Sequence, residues 1–219
     1  MEIPDTRPPG ASPPGASLPD ARPPDARLRR IEDRLSSRAE NGGDPEPIDG
    51  HTEAAVALIL RASADLEILL IKRAESERDP WSGHVALPGG RRDPEDLNLT
   101  RTAIRETSEE TGVELSASGW PLGRLQRVVP SRLTLPTITV TPYVFGVPET
   151  IEANADSAEV DQVLWVTLPV LLDPKTRGTT TILLPEGPAD FPCYWVHGHA
   201  IWGLTFRILS EFGELAEGL

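Results

Sequence analysis

A single cysteine, Cys193, stands in a chain of 219 residues, so no internal disulfide can form and a reducing setting is expected. No run approaches the roughly 18 consecutive apolar residues that a membrane span needs. The amino terminus also lacks the basic-then-apolar pattern of a secretory signal. Together these absences lead us to expect a cytoplasmic protein with no membrane partner. Positive charge is in deficit, since 21 basic residues face 34 acidic ones and leave a net charge of −13. Such a surface repels nucleic-acid backbones at long range, which argues against a nucleic-acid binder. An acidic protein that handles phosphates then needs a local basic rim or a divalent metal.

Proline is abundant but unevenly placed. Ten of the 23 prolines fall within the first 50 residues. There a degenerate five-residue repeat runs Pro8-Pro9-Gly10-Ala11-Ser12, recurs at 13–17, and continues as Leu18-Pro19-Asp20-Ala21-Arg22 and Pro23-Pro24-Asp25-Ala26-Arg27. With almost nothing to bury, it cannot offset backbone ordering of roughly 1–2 kcal/mol per residue, and a disordered tail over 1–50 is expected. Within it, Leu28, Ile31 and Leu35 at helical spacing predict a short amphipathic helix at 28–40, docked or solvated. The folded domain is expected over 51–219.

In that domain, apolar runs at 55–60 and 66–72 predict a hairpin or neighbouring strands, with further strands at 122–129, 137–146, 162–166, 179–184 and 192–196. Helices are predicted at about 98–111 and 200–212, the second from the stripe Ile201, Leu204, Ile208, Phe212. Strands interrupted by two substantial helices at unequal spacing indicate an α/β fold, with a mixed sheet covered on both faces.

The chemistry gathers around the first helix. Asn98 or Asp96 can cap its start and Gly112 can end it. Glu106, Glu109 and Glu110 stand at i, i+3 and i+4, so their carboxylates share a face and raise one another's pKa unless a cation compensates. One answer is a solvated acidic face balanced by Arg101 and Arg105. The other is a hard-cation site, because oxygen ligands suit magnesium or manganese. Pro88-Gly89-Gly90 favours the second, since such a loop brings backbone close to a ligand.

Arg105-Glu106-Thr107-Ser108-Glu109-Glu110-Thr111-Gly112-Val113 resembles the second half of the Nudix hydrolase box. The first half departs from it. Leu97 stands where the box has glutamate and Arg91 where it has glycine, with Gly90 one residue early. The loop Gly89-Gly90-x-x-Asp93-x-x-Asp96, followed by Thr102-Ala103-x-Arg105-Glu106, resembles the coenzyme A pyrophosphatase branch of that family. So do Leu69-Leu70-Ile71-Lys72-Arg73 upstream and Val140-Thr141-Pro142-Tyr143-Val144 and Ile201-Trp202-Gly203-Leu204-Thr205 downstream.

The resemblance implies a Nudix-type α/β/α sandwich and a metal-dependent hydrolase that cleaves coenzyme A or its derivatives to 3′,5′-ADP and a 4′-phosphopantetheine species. It implies Mg2+ or Mn2+ held by Glu106, Glu109 and Glu110, with Glu109, Glu110 and Arg105 as the catalytic group and the Gly89 carbonyl as a weaker ligand. Arg73, Arg78, Gly89, Gly90, Arg91 and Arg92 are the expected substrate-binding residues, the arginines forming a rim for a terminal phosphate. Asp156, Glu159 and Asp161 are candidates for the general base, and each equally reads as a loop acid. His84 beside the loop is a candidate phosphate contact, and Trp81 and Trp202 are candidates to stack on adenine, though Trp202 reads more simply as core. His197 and His199 are weighed as metal ligands against a strand-to-helix turn. The partner is a small-molecule diphosphate, with a homodimer left open. The alternatives are hydrolysis of ADP-ribose, NADH or nucleoside triphosphates, and a catalytically silent scaffold, against which all three box glutamates speak.

Overall fold

The computed structural model describes residues 22–38, 44–75, 83–130, 137–184 and 187–219. Residues 1–21, the first part of the segment expected to be disordered, lie outside them, as do Arg78 and Trp81. Helix α1, Ala26–Ser36, starts at Asp25, whose carboxylate accepts the Arg27 and Leu28 amides. Its Leu28, Ile31 and Leu35 are fully buried in the main core. The folded unit therefore takes in α1, and the boundary expected at residue 50 falls too late. Burying three aliphatic side chains contributes roughly 1.5–3 kcal/mol each, enough to hold a short helix that charged residues otherwise surround.

Strands β1 (Thr52–Ala62) and β2 (Leu66–Arg73) form the expected hairpin. With β3 (Val85–Ala86), β4 (Gly89–Arg91), β5 (Trp120–Arg124), β6 (Ile138–Val147) and β7 (Val160–Thr167) they make a seven-stranded mixed sheet. Its path is β3-β2-β1-β6-β5, with β4 on β1 and β7 on β2, and only β1 and β6 run parallel. Alternation splits the core in two. On β1, Leu58 and Leu60 face α1, α4 (Leu168–Leu172) and α5 (Gly203–Ala216), while Ala55, Ala57 and Ile59 face α2 (Leu99–Thr111) and α3 (Leu115–Ser118). The α/β/α sandwich is as expected.

A second sheet, β10-β9-β8, comprises β8 (Arg177–Leu184), β9 (Gly187–Val196) and β10 (His199–Trp202). The predicted helix at 200–212 loses its first residues to β10, because Ile201 and Trp202 pair with Tyr194 and Cys193. His197 and Gly198, at φ 50° and 82°, turn that hairpin, in place of the expected strand-to-helix turn. The strand expected at 122–129 stops at Arg124, beyond which Val128 alone pairs with Val140. Among the described residues no helix is long and apolar enough to cross a membrane.

Candidate active site

Two adjacent glycines bring backbone and carboxylates together. Strand β4 lies on β1 with Val56 opposite Gly89 and Ala55 opposite Gly90, and the Ala57 amide donates to the Pro88 carbonyl at 2.9 Å. A Cβ on Gly89 would lie 2.3 Å from the Ala55 carbonyl oxygen, and its φ of 150° is one that other residues rarely adopt. On Gly90 a Cβ would lie 2.4 Å from Glu106 Oε1. That close approach lets the Gly89 amide donate to Glu110 Oε2 at 2.8 Å.

Helix α2 carries the carboxylates, and both of its ends are fixed. Asn98 is the cap, accepting the Arg101 amide at 2.9 Å, and Asp44 reaches in from the segment after α1 to accept the Leu99 amide at 2.7 Å and the Tyr143 hydroxyl at 2.6 Å. Gly112, at φ 67°, returns its amide to the Ser108 carbonyl and closes the helix. Asp96, the other candidate cap, does something else. It accepts from Arg105 Nη2 at 2.9 Å and Nε at 3.2 Å, from Thr102 Oγ1 at 2.9 Å and from the Asp93 amide at 3.0 Å. Burial alone would raise its carboxyl, but these donors, Arg105 foremost, outweigh it and hold the group below the usual carboxylate range.

Arg105 is the hub. Its Nη1 donates to Glu106 Oε1 at 2.9 Å and to Glu109 Oε2 at 3.2 Å, and its Nη2 also reaches the Arg91 carbonyl at 3.2 Å. Hydrogen bonding to Asp96, opposed by burial and joined by the Glu106 charge, raises the guanidinium pKa and keeps it a fixed cation. Glu110 is 5% exposed. Burial pushes it up to about 7; the Gly89 amide and Arg73 pull down, while the charges of Glu106 and Glu159 push further up. Glu106 is raised as well, by burial first, with Arg105 opposing and Glu109 and Asp96 adding repulsion. Glu109 points outward, its side chain 57% exposed.

These groups fit a hard divalent cation. The donors are all oxygen, and a buried Glu110 and a half-buried Glu106, both held up by desolvation and mutual repulsion, are relieved by positive charge. Among the described residues no three His, Cys, Asp or Glu side chains converge closely enough to hold an ion unaided.

The expected arginine rim is divided. Arg73, at the end of β2, acts electrostatically on Glu110, and its backbone joins the Gly83 amide and the His84 carbonyl. Arg91 is exposed beside the glycines, whereas Arg92 is committed to Glu53 at 2.9 Å and to the carbonyls of Asp96 and Leu97. Arg78 lies outside the described residues. Trp202 is buried, with the rings of His84 and Phe191 at 4.9 and 5.0 Å, so it is core and not an open stacking face. His84 is thereby tied to the small sheet, and His197 and His199 flank the β9–β10 turn. Of the loop acids, Asp161 pairs with Lys72 Nζ at 2.6 Å and Asp156 lies against Gly112, while the charge of Glu159 reaches Glu110.

Sequence reasoning did not assign Asp96 to Arg105, nor Asp44 to α2. The Asp93-x-x-Asp96 spacing was the available signal for the first. For the second the sequence offers only the turn residues of Asn41-Gly42-Gly43-Asp44-Pro45.

A family model described as the NUDIX domain matches residues 50–184. An uncharacterized Nudix hydrolase, NudL, of Photorhabdus laumondii is 30% identical over 166 residues, 76% of this chain and 86% of its own. The human mitochondrial coenzyme A diphosphatase NUDT8 is 33% identical over 136 residues, 59% of this chain and 54% of that protein. Among solved structures, the NUDIX domain of Shewanella oneidensis NrtR complexed with ADP ribose shares the fold at a TM-score of 0.51 and 20% identity, covering 84% of this chain and 94% of that one. A MutT/nudix family protein from Enterococcus faecalis gives 0.50 at 19% identity, covering 89% and 74%.

Proposed function

The chain belongs to the Nudix family and is a pyrophosphatase of that family; from that premise we propose that it cleaves the diphosphate of coenzyme A or its derivatives, releasing 3′,5′-ADP and a 4′-phosphopantetheine species. The observation that carries this reading is the lengthened loop Gly89-Gly90-x-x-Asp93-x-x-Asp96, in which Asp96 and not residue 97 meets Arg105. Similarity to the human coenzyme A diphosphatase supports it.

Nudix hydrolases use divalent metals, and here Glu106 and Glu110 would hold magnesium or manganese, with Glu109 at the outer side and the Gly89 carbonyl as a weaker oxygen donor. When bound, the ion lowers the pKa of water and stabilises charge on phosphate oxygens. Arg105, clamped by Asp96, fixes the carboxylates of Glu106 and Glu109. A carboxylate base takes a proton from water as the water oxygen bonds to phosphorus, and the bridging P–O bond breaks with its electrons going to the departing phosphate; of the loop acids, Glu159, whose charge reaches Glu110, is the candidate for that role. Such transfer needs alignment and charge more than covalent help. The exposed Arg91, and Arg73 at the end of β2, are the described arginines assigned to the 3′-phosphate.

The experiment is a hydrolysis panel of coenzyme A, 3′-dephospho-coenzyme A, ADP-ribose, NADH and dGTP with magnesium and with manganese. Coenzyme A should have the highest kcat/KM. A preference for ADP-ribose would overturn the substrate assignment, and equal rates with and without the 3′-phosphate would remove the role given to the arginines.

A further inference from the structure

The β8–β9 hairpin has two margins of different character. Its register runs without a bulge from Arg177 opposite Tyr194 to Leu184 opposite Gly187. Pro192 stands opposite Thr179, Asp190 opposite Thr181, and Pro188 opposite Leu183. Proline has no N–H to give, so these are the pairs that exchange no backbone hydrogen bonds within the hairpin, and their backbone groups point to the two outer margins. On the β9 margin that row is Pro188, Asp190 and Pro192: two missing donors and a charge, the devices that blunt a strand edge. On the β8 margin the row is Thr179, Thr181 and Leu183, each with an N–H and a C=O directed outward, the Thr179 carbonyl also accepting the Trp195 indole N–H at 3.3 Å.

This second margin carries none of those devices among the described residues. Gly178–Leu184 contains no charged residue and no proline in a chain of net charge −13, and among the described residues β8 has β9 on one side and no strand on the other. Thr179, Thr181 and Leu183 are exposed, Leu183 to 83%. Threonine and isoleucine supply strand propensity along it.

We propose that the β8 margin is the interface for a second copy of this chain, pairing antiparallel with its own counterpart about a two-fold axis at Thr181. The row is self-complementary in that register. Thr181 exchanges both backbone hydrogen bonds with Thr181 of the other copy, and Thr179 does so with Leu183 in both directions, extending two three-stranded sheets into one of six. A second copy suits the site because an isologous contact needs one surface to match itself, and Gly178–Leu184 brings no charge of its own, while the Asp190 carboxylate on the inner neighbouring strand is held by the Thr181 hydroxyl at 2.6 Å. Pairing confined to one short strand lies at the small end of specific interfaces, so the dimer should form and dissociate with protein concentration.

The test is sedimentation velocity on the full chain over a concentration series, with hydrogen exchange read at the amides of Thr179, Thr181 and Leu183. The dimer fraction should rise with concentration, and those three amides should slow in step with it. Leu183→Lys places a charge on the margin and Thr181→Pro removes the central donor. Both should sediment as monomer at every concentration. Hydrolytic kcat/KM should stay unchanged, and the far-UV circular dichroism of Leu183→Lys should match the parent if Thr181→Pro disturbs the hairpin. A parent chain that stays monomeric, a dimer that survives Leu183→Lys, or amides already slow in the monomer, as when another segment of the same chain covers the strand, would each overturn the proposal.

Discussion

Asp96 and Arg105, nine residues apart, meet in a two-pronged ion pair, Nη2 to Oδ2 at 2.9 Å and Nε to Oδ1 at 3.2 Å. The remaining guanidinium nitrogen is thereby aimed at Glu106 and Glu109. Leu97, which occupies the glutamate position of the common box, is 75% exposed and takes no part. The inserted loop residue has moved the acid one place earlier without losing its partner. Loss of a group that orients a ligand costs roughly 10–100-fold. Asp96→Ala should accordingly lower kcat by that order, Asp96→Glu should restore part of it, and Leu97→Ala should leave it unchanged. Steady-state kinetics that found Leu97→Ala as damaging as Asp96→Ala would remove Asp96 from this role.

Glu110 should abolish metal-dependent turnover when changed to Gln, with the fold retained, because the neutral amide keeps the Gly89 contact but loses the charge. Activity near that of the parent would exclude a metal ligand at this position.

The same residue links stability to pH. Its carboxyl is pushed up to about 7 in the folded chain from 4.5. Between those values the folded state keeps a proton that the unfolded state has lost, so stability of the metal-free protein should fall as pH rises from 4.5 to 7 and then level off. Glu110→Gln removes the penalty. Metal-free Glu110→Gln should melt above the parent at pH 8, by an amount approaching about 3 kcal/mol in stability, and level with it at pH 4.5. Thermal melts in chelator at the two pH values decide this, and an equal difference at both would refute the assignment of the titrating group. Divalent metal should bind more tightly as pH rises through 7, since binding must displace that proton.

How much of this was legible in the sequence depends on how local each feature is. β1 and β2 are long apolar runs, and the Glu106, Glu109, Glu110 face follows from helix geometry alone, so both could be found by spacing. β3 and β4 are two and three residues long and exist because β2 and β1 supply their hydrogen bonds, which no window of sequence contains. β10 was hidden for a related reason: Ile201 fits a helical stripe, and only the turn at His197-Gly198 turns it into a strand partner of Tyr194. The arginines by the loop looked alike in sequence, yet Glu53 on a neighbouring strand draws Arg92 away.

Helix α1 offers a test of where the folded unit begins. Ile31 is fully buried in the main core, and truncating a buried isoleucine to alanine costs roughly 2–5 kcal/mol. Ile31→Ala should lower the urea midpoint accordingly. An unchanged midpoint would mean that the helix does not dock in solution and that the domain starts near residue 51 after all.

The paired glycines should fail in different ways. At Gly89 an added methyl meets fixed backbone, the Ala55 carbonyl oxygen at 2.3 Å and the Val56 Cα at 2.6 Å, at a φ of 150° that alanine rarely adopts. Neither obstacle can swing aside, so Gly89→Ala should destabilise the whole domain by more than the roughly 1 kcal/mol that the same replacement gains at a compatible site. At Gly90 the methyl meets only the end of the Glu106 side chain, Oε1 at 2.4 Å and Cδ at 2.5 Å. A side chain can rotate, and the fold should survive. The rotation would carry Glu106 away from Arg105 Nη1, however, and with it one of the carboxylates given to the metal. Gly90→Ala should therefore melt close to the parent while manganese binding, followed by calorimetry, weakens and turnover falls at least tenfold. Intact metal affinity in Gly90→Ala would show that Glu106 does not need the space that this glycine leaves it.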